Sequence, residues 1–313
     1  MKVLVTGGAG FIGSHLVEAL VEKGHGVRVL DNLSSGRLAN LRPVRGDVEL
    51  LKGDCADARA AARAVKGVEV VFHEAAIPSV ARSVLDPASS HRGNGTATVS
   101  MLVAAREAGV RRFVYAGSSS VYGDSAELPK RESMAPWPLS PYAVGKLMGE
   151  HYLRVFASLY GMETLTLRYF NVFGPRQDAS SPYSGVISLF ITALLSGKTP
   201  VIYGDGEQSR DFTYVANVVA GNLRALEAKK PRGEVVNLAT GRRITLNELL
   251  AVLAGATDRP AKAKHAKPRA GDIRHSLADI DLARRLLKYA PSFDLEEGLR
   301  RTVDWYRTQK PRK

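Results

Sequence analysis

One cysteine, Cys55, is all the thiol chemistry this 313-residue chain has. A single thiol excludes an internal disulfide framework and suits a reducing compartment, so a cytoplasmic location is expected. No run of about 18 apolar residues exists to form a membrane helix. The first apolar run, Lys2 to Thr6, meets glycines at once instead of continuing as a secretory leader would. Internal repeats and low-complexity linkers are missing too, and the Ala/Lys/Pro-rich stretch from Ala261 to Pro268 reads as a plain connection. Acidic residues are in deficit, 31 against 44 Lys and Arg, which leaves a formal charge of +13. Such a surface attracts anions and binds nucleic acid or acidic membranes nonspecifically. The basic clusters Lys229-Lys230-Pro231-Arg232, Lys262 to Arg269 and Lys310 to Lys313 are scattered and lack interleaved aromatics, however. Solvated surface is the reading, with no nucleic-acid or membrane partner and no metal expected. With 45% hydrophobic residues the chain buries a large core, enough for one doubly wound domain and a smaller lobe.

The first thirty-odd residues carry a cofactor signal. Lys2-Val3-Leu4-Val5-Thr6 has the length of a buried strand, and Phe11 to Leu20 has helical periodicity. Between them lie Gly7, Gly10 and Gly13. A glycine loop between strand and helix turns tightly and lets a pyrophosphate approach the N–H groups of the helix N-terminus. Gly26 to Leu30 reads as a second strand ending at Asp31, about 20 residues beyond the loop, where a carboxylate takes the ribose hydroxyls of NAD and repels the 2′-phosphate of NADP. Arg37 is the one nearby residue able to serve NADP, although it follows Ser34-Ser35-Gly36 and reads more simply as loop surface.

Tyr142 and Lys146 stand four apart at the start of a helical stretch and share a face. A phenol holds its proton to about pH 10, but an ammonium one turn away favours the phenolate and makes it available as a general base.

Together these features resemble the extended short-chain dehydrogenase/reductase superfamily, whose opening Thr-Gly-Gly-Ala-Gly-Phe-Ile-Gly is matched by Thr6 to Gly13. The resemblance implies an α/β fold, a doubly wound (Rossmann) parallel sheet with a smaller C-terminal substrate-binding lobe. It divides the chain into an NAD-binding domain over 1–168 and a mainly substrate-binding lobe over 169–313, interleaved with the first. It extends the cofactor set to Gly7, Gly10, Phe11, Ile12, Gly13, Asp31, Asn32, Asp54, Cys55, Ala75, Ala76 and Asn94, with Tyr142 and Lys146. His73, in the fourth strand-like run, reads as a packed residue because nothing nearby resembles its partner. Ser118, three residues before Val121-Tyr122-Gly123, matches the family's catalytic hydroxyl. The implied triad is Ser118, Tyr142 and Lys146: the hydroxyl positions the sugar, the phenolate takes its proton, and the ammonium lowers the phenol pKa while holding the nicotinamide ribose.

Related 4,6-dehydratases carry an acidic pair where this chain has Ser119 and Ser120, and related decarboxylases place a Glu in the same stretch. Reversible oxidation without elimination remains, and its simplest form is epimerisation. The substrate grip implied by the resemblance comprises Asn171 and Arg210 at the diphosphate, Tyr203 on uracil, Arg269 as a second diphosphate Arg, Asp272 on the uridine ribose and Ser276 beside the sugar. The chain is similar to the UDP-glucose 4-epimerase family, especially the bacterial UDP-N-acetylglucosamine 4-epimerases. UDP-glucuronate epimerases, dehydratases and noncatalytic NAD- or RNA-binding members remain the alternatives. The family also implies a homodimer joined through the helices beginning near Asn94 and Tyr142.

Overall fold

The structure, a computed structural model, describes residues 1–179, 185–268 and 273–309. Arg269 and Asp272 therefore lie outside the described residues. The centre is a seven-stranded parallel sheet. Its first six strands in the chain are β1 (Lys2–Thr6), β2 (Gly26–Asp31), β3 (Val48–Lys52), β4 (Val70–His73), β5 (Arg112–Ser118) and β6 (Glu163–Tyr169). The seventh, Arg232–Leu238, comes from the second half of the chain and pairs with β6.

Four consecutive residues of β1, Val3 to Thr6, are buried, because both sheet faces are covered and no alternation with polar residues is needed. The pleat still sorts them. Val3 and Val5 join one apolar cluster with Leu16, Val17 and Leu20 of helix α1 (Phe11–Glu22), while Leu4 joins the opposite cluster with Ala61 and Val65 of α2 (Ala58–Val65). β1 pairs with β2 on one side and β4 on the other. The winding reverses at that point, opening a crevice at the carboxyl ends of β1 and β4.

Two short helices, α3 (Val80–Leu85) and α4 (Pro87–His91), lead through a π-helical turn, Arg92–Thr96, into α5 (Ala97–Glu107). α6 (Pro141–Tyr160) is capped by the Ser140 hydroxyl, which accepts from the Ala143 amide, and has proline in its first turn. A third apolar cluster joins the helices Val186–Leu195, Leu246–Thr257 and Leu295–Thr308 around Phe173, Phe212 and Tyr214.

Ala261 to Pro268 is more than a connection. Lys264–Ala266 forms a strand parallel to Val201–Tyr203. Three residues with mostly exposed side chains carry no hydrophobic period, so main-chain pairing alone defines the strand.

Candidate active site

The glycine loop is held by contacts that leave no room for side chains. Gly7 has φ +66°, and a Cβ there would come within 2.8 Å of the Ala75 backbone. A Cβ on Gly13 would lie 2.2 Å from the Gly7 carbonyl oxygen. Gly10, the N-cap of α1, gives no side-chain cap, and the first turn holds no acidic residue. Phe11 and Ile12 open that turn and pack toward the second lobe. Bare N–H groups at a helix N-terminus, under a loop without side chains, fit a pyrophosphate.

Asp31 is buried at the end of β2, where Oδ2 accepts from the Ala9 amide at 2.9 Å and Oδ1 from the Leu33 amide at 2.8 Å. Each oxygen keeps lone pairs for ribose hydroxyls, so these residues fit NAD. Asn32 is exposed and turns its amide oxygen to the Ser34 N–H. Asp54 accepts from the Ala56 amide and pairs with Arg92 at 3.0 Å. Cys55 is buried, and burial pushes its thiol up to about 12, leaving it inert as a nucleophile. Arg37 meets Asp178 at 2.6 Å across an exposed contact.

His73 is fully buried between two threonines. Thr98 donates to the Asn94 carbonyl at 2.6 Å and so accepts from His73 Nε2, 3.1 Å away. Thr6 accepts from the Ala75 amide and turns its proton to His73 Nδ1 at 2.8 Å. This network assigns a neutral imidazole with the proton on Nε2. Burial lowers its pKa to about 3, with Lys146 adding repulsion. The Ala75 amide is thereby tied to β1, and Ala76 follows it, partly buried, along the crevice. Asn94 lies in the π-helical turn, not in regular α-helix, and its amide group brackets the Ile77 backbone, accepting from N–H at 3.0 Å and donating to C=O at 3.3 Å.

Ser118 ends β5, with its hydroxyl 2.9 Å from the Ser120 hydroxyl. Tyr142 and Lys146 project from one face of α6, with Lys146 Nζ 6.0 Å from the Tyr142 ring centroid. Burial raises the Tyr142 phenol above its ordinary value, and hydrogen bonding with Ser118 pulls it partly back. This differs from the expected depression by Lys146. The ammonium, 2% exposed, donates to the Ala116 carbonyl at 2.8 Å and lies 4.9 Å over the Tyr115 ring, so burial prevails at the phenol. Burial also lowers Lys146 itself to about 8, against the pull of Glu74 and Glu150.

Asn171, with φ +35°, donates to the Asp211 carbonyl at 3.0 Å. Arg210 sits on the strand Ser209–Arg210 and donates to the carbonyls of Ser209 and Arg274. The Ser276 amide donates to the Ser209 carbonyl at 3.0 Å, which brings Ser276 beside the Arg210 strand. Tyr203 is 37% exposed at the end of Val201–Tyr203.

Glu74 and Tyr169 escaped the sequence reading. The Tyr169 hydroxyl donates to Glu74 Oε1 at 2.8 Å and accepts from Asn222 at 2.8 Å. Burial pushes the Glu74 carboxyl up to about 7, while Tyr169 and Lys146 pull it down. The available signal was a lone carboxylate directly after a strand of three apolar residues and a histidine, Val70-Val71-Phe72-His73.

Residues 3–239 match the family model described as the NAD dependent epimerase/dehydratase family. A UDP-glucose 4-epimerase of Mycolicibacterium smegmatis is 42% identical over 313 residues, 99% of each chain. The solved UDP-N-acetylglucosamine 4-epimerase of Methanobrevibacter ruminantium, in complex with UDP-N-acetylmuramic acid, is 41% identical with a TM-score of 0.94 over 99% of both chains. The Thermus thermophilus UDP-glucose 4-epimerase, in complex with NAD, is 36% identical with a TM-score of 0.90 over 98% of this chain and 99% of that one. By sequence and by fold, the chain belongs to the NAD-dependent epimerase/dehydratase family.

Proposed function

We propose that this chain is an NAD-dependent UDP-hexose 4-epimerase in which Ser118, Tyr142 and Lys146 carry the chemistry. The observation behind the reading is the meeting of a hydroxyl at the end of β5 with a phenol and an ammonium one turn apart on α6, beside the glycine crevice. Bound NAD supplies reversible hydride exchange with C4 of the sugar. Ser118 holds the 4-hydroxyl and relays toward Tyr142, which takes the proton as C4 is oxidised and returns it after the 4-keto sugar has turned over. Lys146 holds the nicotinamide ribose and contributes the positive charge that phenol ionisation requires. Gly7, Gly10, Phe11, Ile12 and Gly13 cradle the pyrophosphate, and Asp31 takes the adenosine ribose. Ser119 and Ser120 supply no acid–base pair, so water is not eliminated. Incubation with individual UDP-sugars, with no NAD added, should yield each C4 epimer; absence of any epimer would overturn the reading.

Arg210 and Asn171 grip the diphosphate, with Arg269 and Asp272 completing the nucleotide site. Ser276 lies beside the Arg210 strand, and its small side chain would leave room for a 2-N-acetyl group where a Tyr would not. Wild type should therefore turn over UDP-GlcNAc at least as well as UDP-glucose. Ser276→Tyr should lose the N-acetyl reaction on the order of 10²-fold while keeping the other. Equal losses on both would remove Ser276 from the pocket.

The functional unit is a homodimer. Val84 (62% exposed) and Leu85 (73%) on α3, with Val144 (53%), Val155 (45%) and Leu159 (68%) on α6, form apolar surface that a second copy would cover. Light scattering checks this. The described residues contain no helix long and apolar enough to cross a membrane. A cytoplasmic location would supply NAD and UDP-sugars.

A further inference from the structure

Asp211 has no exposure to solvent, yet its carboxylate accepts four hydrogen bonds, all from neutral donors. Oδ1 takes the Thr240 amide at 3.0 Å and the Thr240 hydroxyl at 2.6 Å, while Oδ2 takes the Gly241 amide at 2.9 Å and the Ala278 amide at 3.3 Å. A carboxylate is acceptor-only, so it suits four donors; a proton on either oxygen would face one of them. The neighbouring residues show what this side chain replaces. Ser209 donates to the Arg274 carbonyl and accepts from the Ser276 amide, each at 3.0 Å, the two bonds of a parallel bridge centred on His275. A regular parallel ladder would next send the Ala278 amide to the Asp211 carbonyl. It goes to the Asp211 side chain instead, and the Asp211 carbonyl accepts from Asn171 Nδ2 at 3.0 Å. Asn171 is held a second way, because its own carbonyl accepts from the Thr213 amide at 3.3 Å.

We infer that Asp211 is a positioning residue for the substrate grip: standing in for a main-chain carbonyl, its side chain fixes the Arg210 strand against the Ser276 segment and frees its own carbonyl to anchor Asn171. The inference deepens the proposed function and rests on it for the ligand, because Arg210, Asn171 and Ser276 are assigned there to the UDP-sugar. Asp211 acts through the backbone. Alternation along the strand sends its side chain inward and that of Arg210, which is partly exposed, to the opposite face. The Thr240-Gly241 turn held by the carboxylate leads on to Ile244, which pairs with Arg210 from the other side. Asn171 carries two N–H groups on its side chain, so anchoring one leaves the second for a diphosphate oxygen.

Asp211→Asn keeps the shape and sets an NH₂ group against two of the four donors, whichever way the carboxamide turns. Calorimetric titration with UDP should show affinity weakened by about tenfold or more, and KM for each accepted UDP-sugar should rise in step. Bound NAD and kcat should stay near wild type, since the carboxylate tethers neither the triad nor the glycine loop. Amide hydrogen exchange at Thr240, Gly241 and Ala278 should quicken. Thr240→Val, which removes only the hydroxyl donor, carries the same test at smaller amplitude should Asp211→Asn fail to fold. Unchanged UDP affinity overturns the inference, and so does an equal loss of UDP affinity, NAD and kcat, which would mark general packing. Arg210→Ala, run alongside, tests the reading beneath. If it loses UDP affinity while Asp211→Asn does not, the diphosphate site stands without Asp211; if neither loses it, the diphosphate site falls as well.

Discussion

The cofactor crevice and the lobe proposed to hold the substrate are built by different means. The crevice rests on strands of four to seven residues, buried in a parallel sheet, whose ends place Gly7, Asp31, Glu74 and Ser118 by main-chain register. The residues proposed for the substrate hang on less: Arg210 and Tyr203 on pairings of two and three residues, and Ser276 on a single bridge, Ser209 with His275. A position set by a sheet is dictated by many neighbours at once; one set by a two-residue ladder depends on a few hydrogen bonds. Changes in the crevice should therefore propagate into stability and cofactor retention, whereas changes in the substrate lobe should show mainly in substrate choice.

The largest effect expected is on acid stability. His73 has a folded pKa near 3 against 6.5 when unfolded. A depressed folded value means that the unfolded chain takes the proton first, so stability is full above 6.5 and is lost as pH falls toward 3. The shift corresponds to roughly 4–5 kcal/mol at its limit. His73→Gln should lower stability at neutral pH, since the Thr6 and Thr98 contacts are disturbed, yet flatten its loss between those limits. Denaturant unfolding at several pH values measures both. An unchanged slope would remove His73 as the source.

Catalysis comes next. Tyr142→Phe should lose on the order of 10²-fold or more in kcat for every accepted UDP-sugar. NAD content should stay near wild type, because the ring and its packing remain. Near-normal turnover would break the triad reading and leave the crevice as a binding site alone.

How legible each region was follows from the same contrast. β1, α1 and β2 could be read from the sequence because buried runs and glycine turns are local signals; β2 ends at Asp31 as read, and α1 extends two residues beyond the periodic stretch. Lys264–Ala266 was not legible, because its strand character comes only from its partner. The Tyr169–Glu74 contact joins residues 95 apart in sequence and leaves no trace in either segment. Ser118, Tyr142 and Lys146 were locatable by resemblance, but the upward shift of Tyr142 was not, since spacing reports a neighbouring charge and says nothing of desolvation.

The smallest effects separate two charged residues at the proposed adenosine end. Asp31 is clamped by two backbone amides, whereas Arg37 makes an ion pair with Asp178 in which both side chains are more than a third exposed. In the proposed site, Asp31→Ala removes both the ribose acceptor and the repulsion of a 2′-phosphate. NAD should loosen by about tenfold, and its preference over NADP should narrow. Arg37→Ala breaks only a surface pair of the kind worth about 0–1 kcal/mol. Its stability and its NAD-to-NADP ratio should therefore match wild type within a factor of about two. Titrating each variant with both nucleotides decides the matter. If Arg37→Ala instead weakened NADP selectively, and wild type bound NADP the more tightly, the pocket would be an NADP site and the Asp31 assignment would fall.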